Sequence, residues 1–220
     1  GHAGERALSR VVEGGFRHYE QSLRVVDRLE NDGAGLNLCY EVRRGILCHT
    51  AGEPAETLEG QLVRFADKIA YINHDIDDAM RGGIIFPTDI PVHISETLGF
   101  THGERLDTLT MDIIENSREG NAIRQSEHIA QAMAELKQFM FDSVYFNPLA
   151  KGEEGKAEDM ICLLFDYYAK HTDKLPPEYQ DILVREGAQR AVVDYIAGMT
   201  DSYAVETFSN LFIPKGWMVK

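Results

Sequence analysis

The chain has only three cysteines, Cys39, Cys48 and Cys162, an odd number without C-x-x-C spacing. This pattern favours reduced thiols over a disulfide framework and predicts a cytoplasmic protein. No run approaches the ~18 consecutive apolar residues of a membrane span, so we expect no membrane association. Strand-like alternation of useful length and internal repeats are also missing, which argues against all-β and repeat architectures.

Basic residues are scarce as well. The chain has 22 Lys and Arg against 36 Asp and Glu, giving a formal net charge of −14. This balance argues against nucleic acid as the main ligand. The excess of acidic residues also argues against a polyanionic ligand, unless a metal ion or a local basic cluster offsets the negative electrostatic field of the protein. The P-loop, dinucleotide-binding, zincin and nucleophile-elbow motifs are absent, which removes the enzyme classes that those motifs define.

Helical periodicity dominates what is present, and an apolar fraction of 44% is enough for a sizeable core. We therefore predict an all-α fold. The predicted helices cover residues 4–12, 16–30, 36–48, 57–82, 104–116, 126–146, 156–171 and 189–212, with shorter helical turns in VHISETLG. Gly- and Pro-containing connections separate them at GGIIFPTDIP, NPLAKGEEG and KLPPEYQ.

The long predicted helix at residues 57–82 carries polar residues within its apolar stripe. Asp67, Tyr71 and Asp75 recur at i, i+4 and i+8, so they share one helix face. Two carboxylates and a phenol beside an apolar seam indicate a buried polar site. The alternative is that the run HDIDD forms a solvated acidic patch, and this helix alone does not separate the two interpretations.

A second candidate group opens the chain in the segment GHAGE. On a helix, His2 and Glu5 share a face, and a carboxylate beside an imidazole fixes its tautomer and raises its basicity. Such pairs also occur on helix surfaces without any function. His18 stands early in a helix, where packing or capping is the alternative to ligand binding. Lys68 follows Asp67 directly, and its long side chain can reach the mouth of a site.

Four segments together resemble one family: GHAGE, RHYEQSLRVVDRLE, TLEGQLVRFADKIAYINHDIDDA and DYIAGMTDSYA. They are similar to the bacterial deoxyguanosine triphosphate triphosphohydrolase-like proteins of the HD-domain superfamily, over roughly residues 1–214. The resemblance implies an HD-domain-like multi-helix bundle with a C-terminal helical extension. It places the C-terminal part of the phosphohydrolase core at residues 1–85 and a helical region packed on that core at residues 86–220.

The resemblance also implies a reaction, the metal-dependent cleavage of deoxynucleoside triphosphates to the deoxynucleoside and inorganic tripolyphosphate. The cofactor would be Mg²⁺ or Mn²⁺. By matching motifs, His2 and Glu5 stand at the catalytic His–carboxylate pair, and Asp67 stands at a metal-ligand position. The substrate-binding positions are matched by four residues, His18, Lys68, Tyr71 and Asp75. The first two approach the phosphates, and the last two approach the deoxyribose.

One departure from the family pattern concerns the metal. The family's other ligands, a His and an adjacent His-Asp pair, lie upstream of the GHxGE motif and would precede Gly1. One carboxylate cannot hold a hard divalent ion in a defined geometry. We therefore expect an N-terminally truncated member with an incomplete metal site, inactive on its own.

Further expectations and rival interpretations follow from the same comparison. The resemblance implies a homo-oligomer whose ligands are deoxynucleoside triphosphates. Two alternatives stay open. The chain could be an HD-type phosphohydrolase of other specificity, such as a nucleoside monophosphatase, which would release orthophosphate. It could also be a non-catalytic nucleotide-binding or scaffolding module of a helical oligomer.

Overall fold

The computed structural model describes residues 1–50 and 52–216, apart from the side chains of Leu149 and Ala150. Regular structure in these residues is entirely helical, which confirms the predicted all-α fold. The α-helices are α1 His2–Val11, α2 His18–Arg24, α3 Tyr40–Leu47, α4 Leu58–Arg81, α5 Val92–Leu98, α6 His102–Asn116, α7 Glu127–Met140, α8 Pro148–Lys170, α9 Gln180–Glu186, α10 Ala188–Ala197 and α11 Asp201–Phe212. None of these helices, over the described residues, has the length and apolar character that crossing a membrane requires.

Shorter helical turns extend or connect these elements. Single π-helical turns continue α2 and α7 at Val25–Leu29 and Phe141–Tyr145. The 3₁₀ turns are Pro87–Asp89, Thr172–Lys174 and Pro177–Tyr179. A π-turn widens the helix locally and is frequent at functional sites. Tyr145, the last residue of the second π-turn, contacts Asp75 on α4.

The chain forms two compact units. The first unit comprises Gly1–Leu36 and the described part of Glu153–Lys220, and the second comprises Asn37–Gly152. The boundary at residue 85 that the resemblance implies falls inside the second unit. The predicted boundary marks the end of the family's phosphohydrolase core and not the edge of a compact unit, so it stays a prediction.

The second unit is built around α4. The hydroxyl of Thr57 caps the helix by accepting a hydrogen bond from the Gly60 N–H at 3.2 Å, and Gly82 ends it. These limits agree with the predicted helix at residues 57–82. Helix α4 packs against α3 and α6, while α5 packs against α6 and α7. The fully buried apolar side chains of this unit are Ile76, Leu98, Leu109, Leu136 and Met140.

The first unit combines an apolar core with a buried ionic network. Its most buried large apolar side chains are Leu164, Val192 and Val193. The Asp194 carboxylate on α10 is 0% exposed and accepts hydrogen bonds from two residues of α2. The donors are Gln21 Nε2 at 2.8 Å and Arg24 Nε and Nη2 at 2.9 and 2.7 Å. Helix α2 is therefore linked to α10 by hydrogen bonds and an ion pair.

Several predicted boundaries were wrong, each for a local reason. The single helix expected at residues 189–212 is two helices, because α10 stops at Gly198 and the Thr200 hydroxyl caps α11. The turn expected at NPLAKGEEG is helical, with Pro148 at the first position of α8, where its missing N–H costs nothing. Helix α3 starts at Tyr40 rather than residue 36, since Asn37 has a left-handed φ of 51°. Helix α9 was not predicted.

Candidate active site

The first candidate group lies at the corner between α1 and α2, within the first unit. Helix α1 begins at His2, so His2 and Glu5 both lie in its first turn. Gly14 and Gly15 follow the helix with left-handed φ values of 85° and 82°. Glycine adopts this conformation without steric cost, and it allows the chain to reverse. The reversal brings His18, the first residue of α2, back to Glu5.

Glu5 is the centre of this group. The His18 backbone N–H donates to Glu5 Oε1 at 2.9 Å, and His18 Nδ1 lies 3.0 Å from each carboxylate oxygen. Partial burial raises the pKa of the Glu5 carboxyl, but the hydrogen bonds from His18 and the charges of His18 and His2 outweigh burial and hold the pKa below its usual value. Sequence reasoning paired Glu5 with His2, and the structure adds His18 as its hydrogen-bonded partner.

The lowered pKa of Glu5 predicts an acid-dependent loss of stability. Ionised Glu5 stabilises the folded state above the ordinary carboxyl pKa of 4.5, and this contribution disappears as pH falls through the lower folded-state pKa. Thermal melting followed by circular dichroism from pH 6 to pH 3 should therefore show a steeper acid decline for the wild type than for Glu5→Gln. The matched control is Glu13→Gln, which changes an exposed carboxylate. Equal declines for the wild type and Glu5→Gln would contradict the assignment.

A cavity of about 400 Å³ opens beside this group. Its walls come from α1 and from the chain that returns to α2. The lining residues are His2, Glu5, Arg6, Ser9, Arg10, Phe16 and Arg17. Two of its three arginines are paired with carboxylates, Arg6 with Glu154 and Glu158 and Arg10 with Glu158, each at 2.7 Å.

The second candidate group lies on α4, within the second unit. Asp67, Tyr71 and Asp75 are all partly buried, as expected for one helix face at the edge of a core. Lys68 is exposed, and its ammonium group lies 5.9 Å from the centre of the Phe65 ring. The structure therefore places the four predicted α4 residues along one helix, with the lysine directed to solvent.

Tyr145 is a member of this group that sequence reasoning missed. Its hydroxyl donates a hydrogen bond to Asp75 Oδ2, and its ring stacks on Tyr71 with centroids 6.5 Å apart and an interplanar angle of 18°. Burial raises the pKa of the Tyr145 phenol, and the hydrogen bond to Asp75 raises it further. Burial also raises the pKa of Tyr71. Both phenols thus stay protonated, and Tyr145 can keep donating to Asp75.

These contacts decide between the two interpretations of the acidic run HDIDD. Asp75 is held by Tyr145, and Asp77 Oδ2 lies 2.6 Å from His102 Nδ1, at ion-pair distance but without hydrogen-bond alignment. Asp78 is exposed and pairs with Arg81 at 2.8 Å. The solvated-patch interpretation therefore holds for Asp78 and is wrong for Asp75.

The donors needed for a divalent metal can be compared with these residues. Mg²⁺ and Mn²⁺ prefer several oxygen donors in a near-octahedral arrangement. Within residues 1–50 and 52–216, no three His, Cys, Asp or Glu side chains are placed to hold a metal ion together. The donor set described here does not fit a complete metal site. The prediction that Asp67 is one ligand therefore requires further donors from outside the described residues.

Comparison with known proteins places the chain in a family. Residues 123–210 match the model of the phosphohydrolase-associated domain. A deoxyguanosinetriphosphate triphosphohydrolase-like protein of Caldanaerobacter subterraneus is 48% identical over 217 residues, which are 99% of this chain and 64% of the relative. A protein of the same name from Geobacter sulfurreducens is 35% identical over 268 residues, covering 97% of this chain and 69% of the relative. The chain belongs to the deoxyguanosinetriphosphate triphosphohydrolase-like family.

The chain matches only part of the length of its relatives, and this limits what family membership says about the whole protein. A Clostridium perfringens relative of this family is 43% identical over 97% of this chain and 65% of its own length. The chain thus spans slightly less than two thirds of two of these relatives. Membership in the triphosphohydrolase-like family confirms the resemblance seen in the sequence motifs. The activity, substrate and partners of the whole protein are separate inferences.

Proposed function

We propose that this chain is part of a metal-dependent phosphohydrolase that converts deoxynucleoside triphosphates to deoxynucleosides and tripolyphosphate. The observation that carries the proposal is the Glu5 carboxylate, which hydrogen-bonds His18 and whose pKa is lowered by the charge of His2. This carboxylate lies at the wall of a cavity that three arginines also line. Family membership supports the same reaction, since the relatives are named for a triphosphohydrolase.

The proposed reaction is a hydrolysis at the α-phosphorus. Water attacks this phosphorus, the bond to the 5′-oxygen breaks, and the departing 5′-oxygen takes up a proton as the deoxynucleoside leaves. An imidazole beside a carboxylate can accept the proton of water or donate one to the leaving oxygen. We assign this role to His2 with Glu5. We assign phosphate contact to His18, which Glu5 orients, and to Lys68, whose exposed ammonium can pair with an oxyanion.

Recognition of the sugar is assigned to the α4 group. The Asp75 oxygen that does not receive the Tyr145 hydroxyl can accept a hydrogen bond from a deoxyribose hydroxyl. The rings of Tyr71 and Tyr145 lie nearly parallel beside that carboxylate. Packing of a sugar against these rings leaves little room for a 2′-hydroxyl, which supports a preference for deoxy substrates.

The metal and the assembly belong to the same proposal. We infer that Asp67 is one ligand of Mg²⁺ or Mn²⁺, with donors outside the described residues, and that the 220-residue chain alone is inactive. A bound divalent ion would polarise a phosphoryl oxygen. We also infer a homo-oligomer, supported by exposed aromatic and aliphatic side chains on α11 such as Val205 and Phe212. Light scattering after size-exclusion chromatography tests the assembly.

A substrate panel tests the function. The protein, at the full length of its relatives and with Mg²⁺ or Mn²⁺, is given each deoxynucleoside triphosphate, the matching ribonucleotides and a deoxynucleoside monophosphate. The expected products are deoxynucleoside and tripolyphosphate, with ribonucleotides cleaved more slowly. Orthophosphate from the monophosphate would favour the nucleotidase alternative. Nucleotide binding without any product would favour the non-catalytic module.

A further inference from the structure

A second cavity lies within the first unit, between α2 with its π-turn and the end of α10. Its volume is about 390 Å³. None of its described lining residues lines the cavity beside α1, and none has a role in the proposed hydrolysis. Its walls combine apolar side chains with oxygen acceptors and carboxylates. We propose that this cavity binds a small aliphatic ammonium ion.

Helical spacing brings the walls of the cavity together. Gln21, Val25 and Leu29 recur every four residues along α2 and its π-turn, so they lie on one side. Asp194 and Gly198 stand four residues apart at the end of α10. Gln21 Nε2 donates to Asp194 Oδ1 at 2.8 Å, which joins the two walls. Val25 and Leu29 supply apolar surface for the carbon chain of a ligand.

Gly198 leaves open a space that oxygen atoms surround. A side-chain carbon on Gly198 would lie 3.4 Å from the Tyr179 hydroxyl oxygen. The same carbon would lie 3.4 Å from the carbonyl oxygen of Asp194 and 3.6 Å from that of Tyr195. Carbonyl groups in the last turn of a helix carry partial negative charge. An ammonium group has three N–H donors and no acceptor, so it matches this set of oxygen atoms.

The charge of the lining is negative. The described lining residues include the carboxylates of Glu30, Asp32 and Asp194 and no Lys, Arg or His. Asp194 is balanced by its ion pairs with Arg24 and Arg190. Glu30 and Asp32 are exposed, and neither forms an ion pair with another residue of the described chain. These two carboxylates therefore give the cavity an uncompensated negative charge, which favours a cation.

The loop that carries these two carboxylates has a strained and fixed backbone. Asn31 and Asp32 have left-handed φ values of 56° and 52°. Successive left-handed residues other than glycine cost free energy, and such strain clusters at ligand sites. The Gly35 N–H donates to the Glu30 carbonyl at 2.9 Å and closes the loop. A loop that is ordered in advance loses less entropy when a ligand binds.

The Tyr179 phenol lies in the same negative field. Burial raises the pKa of this phenol, and the charges of Glu178 and Asp194 raise it further. The phenol therefore stays protonated at neutral pH, and its oxygen can accept an N–H of the ligand. A negative field that disfavours a phenolate favours a cation at the same place.

The size of the cavity and its donor set select the ligand class. A volume of about 390 Å³ is at the lower end of the usual range for small-molecule sites, roughly 300–1,000 Å³. No three His, Cys, Asp or Glu side chains of the described chain are placed to hold a metal ion together, which disfavours a divalent cation here. An amine with a short carbon chain matches both the carboxylates and the apolar walls.

Isothermal titration calorimetry tests the site with 1,4-diaminobutane, which carries two ammonium groups at neutral pH, and with butane-1,4-diol, its neutral analogue. The diamine should bind the 220-residue wild type, and the diol should not. The double change Glu30→Gln and Asp32→Asn should raise Kd for the diamine at least about tenfold, through loss of charge-assisted contacts. Gly198→Ala should raise Kd by a similar factor, because its methyl group fills the space between the oxygen atoms at ordinary contact distances.

Two matched controls separate the cavity from general effects. The double change Asp173→Asn and Asp181→Asn removes two charges from exposed side chains outside the lining, and Gly103→Ala adds a methyl group in open space. Both controls should keep the wild-type Kd, and thermal melting followed by circular dichroism checks that each variant is folded. Absence of diamine binding, equal affinity for the diol, or a wild-type Kd in either cavity variant would overturn the proposal. An equal loss of affinity in the Asp173 and Asp181 control would also overturn it.

Discussion

Replacing Asp194 with alanine is expected to lower the free energy of unfolding by about 3–5 kcal/mol, the usual cost of removing one partner of a buried ion pair. The Asp194 carboxylate is 0% exposed and accepts from Arg24 and, through Arg190 Nη2 at 2.7 Å, from a second guanidinium. Alanine leaves both cations and the Gln21 amide without this acceptor. Urea unfolding followed by circular dichroism measures the loss.

The matched control for Asp194 is Asp181→Ala on α9. Asp181 is 86% exposed and lies 3.9 Å from Arg185, and exposed pairs of this kind contribute about 0–1 kcal/mol. A loss below about 1 kcal/mol in Asp194→Ala would contradict the account of the network. The network matters for the site because Gln21 and Arg24 belong to α2, whose first residue is His18. Loss of the anchor should therefore also disturb the contact between His18 and Glu5.

Replacing Tyr145 with phenylalanine is expected to reduce kcat/KM for deoxynucleoside triphosphates by about 10- to 100-fold in a protein of full family length. The change keeps the ring that stacks on Tyr71 and removes only the hydroxyl that donates to Asp75. A hydrogen bond to a charged group is worth about 1.5–3 kcal/mol, and each 1.36 kcal/mol is a factor of ten in rate. Steady-state kinetics with one deoxynucleotide gives the value.

Tyr203→Phe is the control for this experiment. It removes a hydroxyl that hydrogen-bonds the Tyr195 hydroxyl at 3.0 Å within the first unit, whereas the α4 group belongs to the second unit. The control should leave kcat/KM unchanged. Wild-type kinetics in Tyr145→Phe would show that Asp75 does not need this hydrogen bond, and the assignment of Tyr145 to sugar recognition would be lost.

Local signals predicted α4 well. Thr57 supplies the cap, Gly82 the end, and the apolar stripe between them the buried face. The same periodicity placed Asp67, Tyr71 and Asp75 on one face, because helical spacing is a local property. The break between α10 and α11 was missed because Gly198 and Thr200 interrupt an apolar stripe that continues on both sides.

The long-range contacts of the candidate groups were not predictable. Tyr145 meets Asp75 across 70 residues of sequence, and the aromatic run that ends α7 gave no sign of which carboxylate it would contact. Glu5 meets His18 across 13 residues, and that contact depends on the left-handed turn at Gly14 and Gly15. Motif resemblance named Glu5 and Asp75 as important, but only the fold supplies their partners.

The most direct test of the central claim is phosphorus NMR of dGTP hydrolysis in ¹⁸O-labelled water, using a protein of full family length with Mg²⁺ or Mn²⁺. The expected phosphorus product is tripolyphosphate, with the label on a terminal phosphate of the chain. His2→Gln should lower the rate at least about 100-fold, in line with the contribution of a general acid or base. Orthophosphate or pyrophosphate as the product, label in the deoxynucleoside, or an unchanged rate in His2→Gln would contradict the central claim.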